Sequence, residues 1–241
     1  MNPEPRYLHS GDTALVVEFG EHIDARVSGL VLALAQRVAG SAIPGVVELV
    51  PTFRSLMVHY DPLLLTQQAL KARLAPMMER LEATEQEGRH WRIPTCYDES
   101  VGLDLAEVAQ RTGMTVPQVI ERHSTTTYHV YMVGFLPGFP YLGGLPKELE
   151  LPRRENPRVK VPQGSIAIAM AMTGVYTLES PGGWHILGRT PVPLWDINRD
   201  PPAPIAAGDK VMFQPIPLDR YEALLRQADA GDLWLAPEKP A

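Results

Sequence analysis

Proline sets the limits on this chain. Fourteen of its 24 prolines fall between Gly134 and Pro217. Proline has no amide proton to donate and a fixed φ, so it interrupts helix interiors and central strands. The rear of the chain is thereby confined to short strands joined by fixed turns, while the front is free to build longer elements. The 241 residues, 45% hydrophobic and 21% charged, suffice for one large core or two small ones and do not match a disordered chain.

The front alternates strands and helices. Leu15, Val17 and Phe19 share one face of a half-buried strand from Thr13 to Phe19. Asp24 is placed to cap a helix in which Val27, Leu30, Val31, Leu34, Ala35 and Val38 form one apolar stripe, with Gly40 expected just past its end. Val46 to Val50 and Ser55 to Tyr60 read as a hairpin. Thr66 is placed to cap a second helix carrying Leu70, Leu74, Met77 and Leu81, with a kink or late start expected at Pro76. Arg89 to Ile93 offers a fourth strand. The order β-α-β-β-α-β is the ferredoxin-like, split βαβ arrangement, and it predicts a small α/β domain over residues 1–86. The polar stretch from Glu82 to Gly88 is the expected boundary.

The second part, residues 87–241, opens with two short helices. Leu105 to Arg111 follows Asp104 and stops at Gly113; Thr115 with Gln118 makes a capping box for a helix reaching about His123. Thr125 to Val133 reads as a strand, followed by short strands at Arg158 to Val161, Ser165 to Met170, Gly174 to Leu178, Trp184 to Gly188 and Lys210 to Gln214. Short strands with turn signals predict a closed or nearly closed β-barrel, with a last amphipathic helix from Leu218 to Ala228. The whole is an α+β chain.

Charge and cysteine content narrow the function classes. With 22 basic against 28 acidic residues, the net charge of -6 argues against a nonspecific binder of nucleic acid or anionic membrane. No apolar run approaches the ~18 residues of a spanning helix, and Met-Asn-Pro-Glu-Pro is not a secretory signal segment. A single cysteine, Cys96, excludes an intrachain disulfide and a cysteine-based zinc cluster. The expectation is a cytoplasmic chain without a metal site.

Familiar catalytic signatures are missing: no phosphate loop, no dinucleotide fingerprint, no H-E-x-x-H and no G-x-S-x-G elbow occurs. Cys96 could act as a nucleophile only with a histidine close by; no base is identifiable beside it, and it reads as a buried small side chain. The informative stretch runs from Gly134 to Pro146, where prolines and glycines interleave with Phe135, Gly138, Phe139 and Tyr141. It reads as a rigid loop with an apolar side, either packed on its own barrel or forming a pocket wall or partner interface. Ser180-Pro-Gly-Gly-Trp184 is a second such turn; the amides around Gly182 and Gly183 could form an anion nest, or simply a tight turn. Arg153, Arg154, Arg158 and Lys160 are suited to carboxylate or phosphate, or to a solvated surface. His123 ends a helix, where an imidazole either moves protons or caps carbonyls; alone, it reads as a cap.

Several long motifs in order, from about Arg89 to Pro217, resemble the allophanate hydrolase subunit 1 family, which takes in the B-type subunits of 5-oxoprolinase and the KipI kinase inhibitor. They include Cys96-Tyr97, His123-Ser124, Val130 to Leu142, Val161-Pro-Gln-Gly-Ser165, Thr173-Gly-Val-Tyr176, Ser180 to Trp184 and Gly188-Arg-Thr-Pro191. The resemblance implies a cyclophilin-like β-barrel behind the small α/β domain. It implies ATP-dependent opening of 5-oxoproline to glutamate, with ATP and Mg2+ at a site shared with a C-type 5-oxoprolinase subunit, and with an A-type subunit completing the ring opening. On that basis His123 is expected to transfer or orient a proton. Arg153, Arg158 and Arg189 are expected to hold carboxylate or phosphate, with Gly138, Phe139, Ser180, Gly182, Gly183 and Trp184 as walls. Two other readings share the same domain pair: a KipI-like inhibitor docking on a sensor histidine kinase, and a carboxyltransferase-like part of a urea- or allophanate-processing system. The chain departs from the family pattern at Met170 and Met172, where relatives usually carry glycine and glutamine, which leaves the substrate open.

Overall fold

The computed structural model describes residues 5–83 and 88–238. The chain divides into two compact units, Met1–Glu87 and Gly88–Ala241. The expected linker, Glu82 to Gly88, lies for the most part outside the described residues.

The first unit contains β1 (Arg6–Ser10), β2 (Ala14–Glu18), α1 (Ala25–Gly40), β3 (Val46–Pro51), β4 (Ser55–Tyr60) and α2 (Gln67–Met78). Its sheet has the order β1-β2-β4-β3, with every neighbouring pair antiparallel. The Asp24 carboxylate accepts the Val27 amide at 2.8 Å, and the stripe through Leu30, Val31, Leu34 and Val38 is buried. Gly40 lies inside the helix, and Ser41 takes the C-cap position. Thr66 caps α2 through the Ala69 amide. Pro76 falls in the last turn, and Leu81 lies beyond the helix yet is buried.

One expectation fails here. Arg89 to Ile93 does not complete this sheet; β1 does. The unit is ββαββα, a ferredoxin-like layering whose fourth strand comes from the front of the chain. Only Tyr7 and Ser10 of β1 are even half-buried, so the strand shows no alternation to read.

The second unit contains β5 (His90–Cys96), α3 (Leu105–Thr112), α4 (Val116–Ser124), β6 (Tyr128–Val133) and β7 (Pro140–Gly143). A 3-10 turn at Lys147–Leu149 leads to β8 (Arg158–Val161), β9 (Ser165–Ala169), β10 (Met172–Val175) and β11 (Ser180–Gly182). Then come β12 (His185–Arg189), β13 (Lys210–Ile216) and α5 (Leu218–Asp229). Seven strands close a barrel in the order β10-β7-β6-β13-β5-β12-β9, while β8 and β11 pair separately. The barrel closes through β5 and β13, which run parallel with His90 opposite Lys210 and Cys96 opposite Ile216. The segment from Gly134 to Pro146 is not loop throughout, since Pro140–Gly143 is a barrel strand.

The capping box of Thr115 and Gln118 forms as expected, and Gly113 ends α3 at φ 71. The main core gathers Trp91, Ile93, Val119, Tyr128, Leu142 and Phe213, among others. Burying each such side chain fully is worth roughly 1.5–3 kcal/mol. A second, smaller cluster joins Phe139, Val161, Tyr176, Trp184 and Ile186. Among the described residues no helix is long and apolar enough to cross a membrane.

Candidate functional site

His123 is on the buried stripe of α4, one turn past Val119, and its side chain has no exposure to solvent. Its ring stacks on Phe213 with centroids 4.6 Å apart. The Thr173 hydroxyl donates to the Ala167 carbonyl at 3.1 Å, so it must accept from His123 Nε2 at 3.0 Å. Nδ1 therefore carries no proton and accepts from the Tyr97 hydroxyl at 2.7 Å. The chain Tyr97, His123, Thr173, Ala167 leaves no donor or acceptor of the imidazole over. Burial pushes the His123 pKa down to about 3. The ring neither caps the helix nor faces a groove. A neutral, enclosed imidazole with both nitrogens engaged has no route to a substrate proton, so its role is to hold Tyr97 and Thr173 in place.

The arginines part company. Arg158 grips Asp104 with both Nη atoms, at 2.8 and 2.6 Å, and Arg154 adds a third bond to the same carboxylate at 2.8 Å. The Ile186 amide supplies a fourth at 2.7 Å. Asp104, at the start of α3, is thus not a helix cap but the buried anchor of the 152–158 segment. Arg158 is structural in consequence, because a forked pair of this kind leaves no fork for a ligand. Arg189 is at the far end of β12 from Trp184, five residues or about 16 Å along the strand, and lines a different cleft with Asp229. Arg153 alone of the three expected arginines is exposed, without a carboxylate in ion-pair reach among the described residues.

What Arg153 does face is an aromatic surface. Phe135, Phe139, Tyr141, Tyr176 and Trp184 meet edge to face or tilted, with centroids 4.9 to 6.4 Å apart. Phe139 and Trp184 are buried foundations, whereas Phe135 is 61% exposed with φ 69. A bulky residue held in the left-handed region costs about 1–3 kcal/mol, and this one gains little burial in return. Gly138 at φ 76 turns the chain beneath it, and a Cβ there would lie 2.9 Å from the Leu194 carbonyl oxygen.

The Ser180 to Trp184 turn serves this surface differently from an anion nest. A Cβ on Gly182 would stand 2.3 Å from the Tyr176 hydroxyl. The glycine is therefore a seat for the phenol, which fills the space an anion would need. Ser180 is buried with its hydroxyl on the Pro181 carbonyl, and Gly183 accepts the Arg154 amide. Burial raises the pKa of both the Tyr141 and Tyr176 phenols, and the Arg153 charge works against it at each. Both remain neutral donors at physiological pH beside a guanidinium.

The surface can hold a small planar or ring-shaped anion: carboxylate on Arg153, ring against Phe135, polar atoms toward the Tyr141 phenol, since Tyr176 is buried beneath. It does not fit a resident ATP–Mg2+ site. The glycine turn is filled by Tyr176, and among the described residues no group of three or more His, Cys, Asp or Glu side chains is placed to hold a metal ion. Cys96 is buried, which raises its thiol pKa, and no imidazole adjoins it among the described residues. Sequence reasoning missed Tyr176 as a site residue and Asp104 as an anchor. Tyr176 was within reach, since it ends the Thr173-Gly-Val-Tyr176 motif; Asp104 and its arginines lie some 50 positions apart.

Comparison with known proteins agrees with this architecture. A family model described as "Carboxyltransferase domain, subdomain C and D" matches residues 5–205. The chain is similar to the B-type subunit of 5-oxoprolinase from Bacillus subtilis, 37% identical over 233 residues that cover 91% of this chain and 96% of that one. The crystal structure of TTHA0988 superposes with a TM-score of 0.76 at 36% identity over 84% of this chain, which spans only 40% of that longer protein. The K. lactis urea amidolyase shares the fold at a TM-score of 0.81 and 20% identity, over 99% of this chain and 16% of its own.

Proposed function

Since the chain belongs to the carboxyltransferase subdomain C and D family, with relatives named as B-type subunits of 5-oxoprolinase, we propose that it is the B-type subunit of such an enzyme. Its part is to form one wall of a pocket that a C-type subunit closes. The substrate, 5-oxo-L-proline, is a five-membered lactam bearing a carboxylate. Arg153 takes the carboxylate, the exposed ring of Phe135 takes the lactam ring, and the neutral phenol of half-buried Tyr141 hydrogen-bonds the lactam amide, with Phe139, Tyr176 and Trp184 as the packed layer beneath. With His123 enclosed in the core, the chain brings no proton shuttle to this surface. Acid–base chemistry and ATP with its Mg2+ then fall to the C-type partner, and completion of the ring opening to the A-type partner.

The observation that carries the proposal is Phe135, exposed and strained above Tyr176, with Arg153 in electrostatic reach of Tyr176 and without an ion-pair partner among the described residues. Strain and exposure together are retained where a surface is completed by something else. The test is co-purification with a C-type subunit, followed by an assay of ATP- and 5-oxoproline-dependent phosphate release. The combined chains are expected to act where neither does alone. Full activity of the partner by itself overturns the proposal.

A further inference from the structure

A cleft of about 140 Å3 opens between β12 and α5, lined by Gln163, Gly164, Arg189, Thr190, Leu225 and Asp229, among others. Two opposite charges face it without meeting. Arg189 donates through Nε to the Gln163 carbonyl at 2.6 Å, which pins the guanidinium and leaves both Nη groups without a partner among the described residues. Asp229 is in the last turn of α5, where the helix carbonyls already concentrate negative potential and a carboxylate is disfavoured unless a cation neutralises it. Among the described residues no ion pair joins Asp229 to Arg189 or to Arg226 on the same turn.

We propose that this cleft binds the zwitterionic head of an α-amino acid, with the carboxylate on Arg189 and the ammonium on Asp229. Its volume corresponds to about five water molecules, the size of the head group itself, so the side chain projects through the mouth. Separated opposite charges select a zwitterion over either an anion or a cation alone. The site is independent of the aromatic surface and does not rest on the assignment above.

The test is titration of the purified full chain with glycine, alanine, acetate and methylammonium, read by calorimetry and by the amide NMR signals of Gly164 and Thr190. Glycine and alanine are expected to bind and to shift those signals, with acetate and methylammonium each weaker by about tenfold or more. Arg189→Gln and Asp229→Asn are each expected to weaken glycine binding by about tenfold. Both substitutions are at solvent-accessible positions, and circular dichroism checks that the fold is kept. Acetate binding as tightly as glycine, absence of binding by both amino acids, or shifts unaffected by the Arg189 and Asp229 variants would each overturn the proposal.

Discussion

The polar groups around His123 and Asp104 and the aromatic surface around Phe135 use similar residue types to opposite ends. In the first region every hydrogen-bonding atom of the imidazole and the carboxylate finds a protein partner, out of water. In the second, an arginine has no carboxylate in ion-pair reach among the described residues, and a phenylalanine sits in solvent on strained backbone. Arg153 and Arg158 are only five positions apart, yet one is spent on the fold and the other is available. Whether a histidine or arginine serves architecture or a ligand is decided by what the rest of the fold brings against it.

That contrast is open to measurement. The largest effect is expected from Asp104→Ala, which strips two guanidinium groups and the Ile186 amide of their shared partner. Breaking a buried pair from one side costs about 3–5 kcal/mol, visible as a lower urea midpoint. His123→Ala follows at about 3 kcal/mol, from a cavity against Phe213 and the orphaned Tyr97 hydroxyl. A variant as stable as the parent would put His123 outside the core network.

Acid sharpens the same region. The unfolded chain takes up a proton at His123 near pH 6.5, whereas the folded chain resists until about pH 3. Below 6.5 the unfolded state binds more protons, so stability present above that pH is lost as pH falls toward 3. The slope from this one group is about 1.4 kcal/mol per pH unit. Unfolding in urea at pH 6.5 and at pH 5 should thus differ by about 2 kcal/mol on this account. His129, with its pKa lowered to about 4 by burial and then by Lys210, adds in the same direction. His123→Ala should flatten the dependence, and a flat profile in the parent would contradict the buried, neutral imidazole.

The aromatic surface should behave in reverse. Arg153→Gln is expected to leave stability within about 0.5 kcal/mol while raising the KM for 5-oxoproline of the assembled enzyme about tenfold or more. Phe135→Gly is expected to carry no cost to the fold. Relief of about 1–3 kcal/mol of backbone strain is offset by glycine's extra freedom when unfolded, for a net gain near 1 kcal/mol. Its signature is weaker association with the C-type subunit despite equal or better stability.

Much of the fold was legible because it is written in local periodicity and caps. The stripe from Val27 to Val38, the Asp24 cap, the capping box at Thr115 and the proline-punctuated barrel strands need only neighbours in sequence. Strand partners do not follow from such signals. His90–Cys96 has the pattern of any buried strand, and nothing local tells that it pairs with Lys210–Ile216 rather than with Ala14–Glu18. The site was less legible for the same reason. Val116, Val119, Ile120 and His123 recur at helical spacing, so the buried side of α4 was readable, but an imidazole at a helix end fits a cap equally well. Met170 carries a clearer sign. Its φ of 54 and 59% exposure fit a position where a glycine would be at ease, which accounts for the residue usual there in the family it resembles.

The parallel pairing of β5 with β13 sets the order in which the second unit can come into being. Its opening segment has no seat until one made some hundred residues later arrives beside it, so the ring of strands stays incomplete through most of synthesis. The interior around Trp91 and Phe213 is the last to be shielded, and a nascent chain stopped short of Ile216 would present those apolar surfaces to the cell.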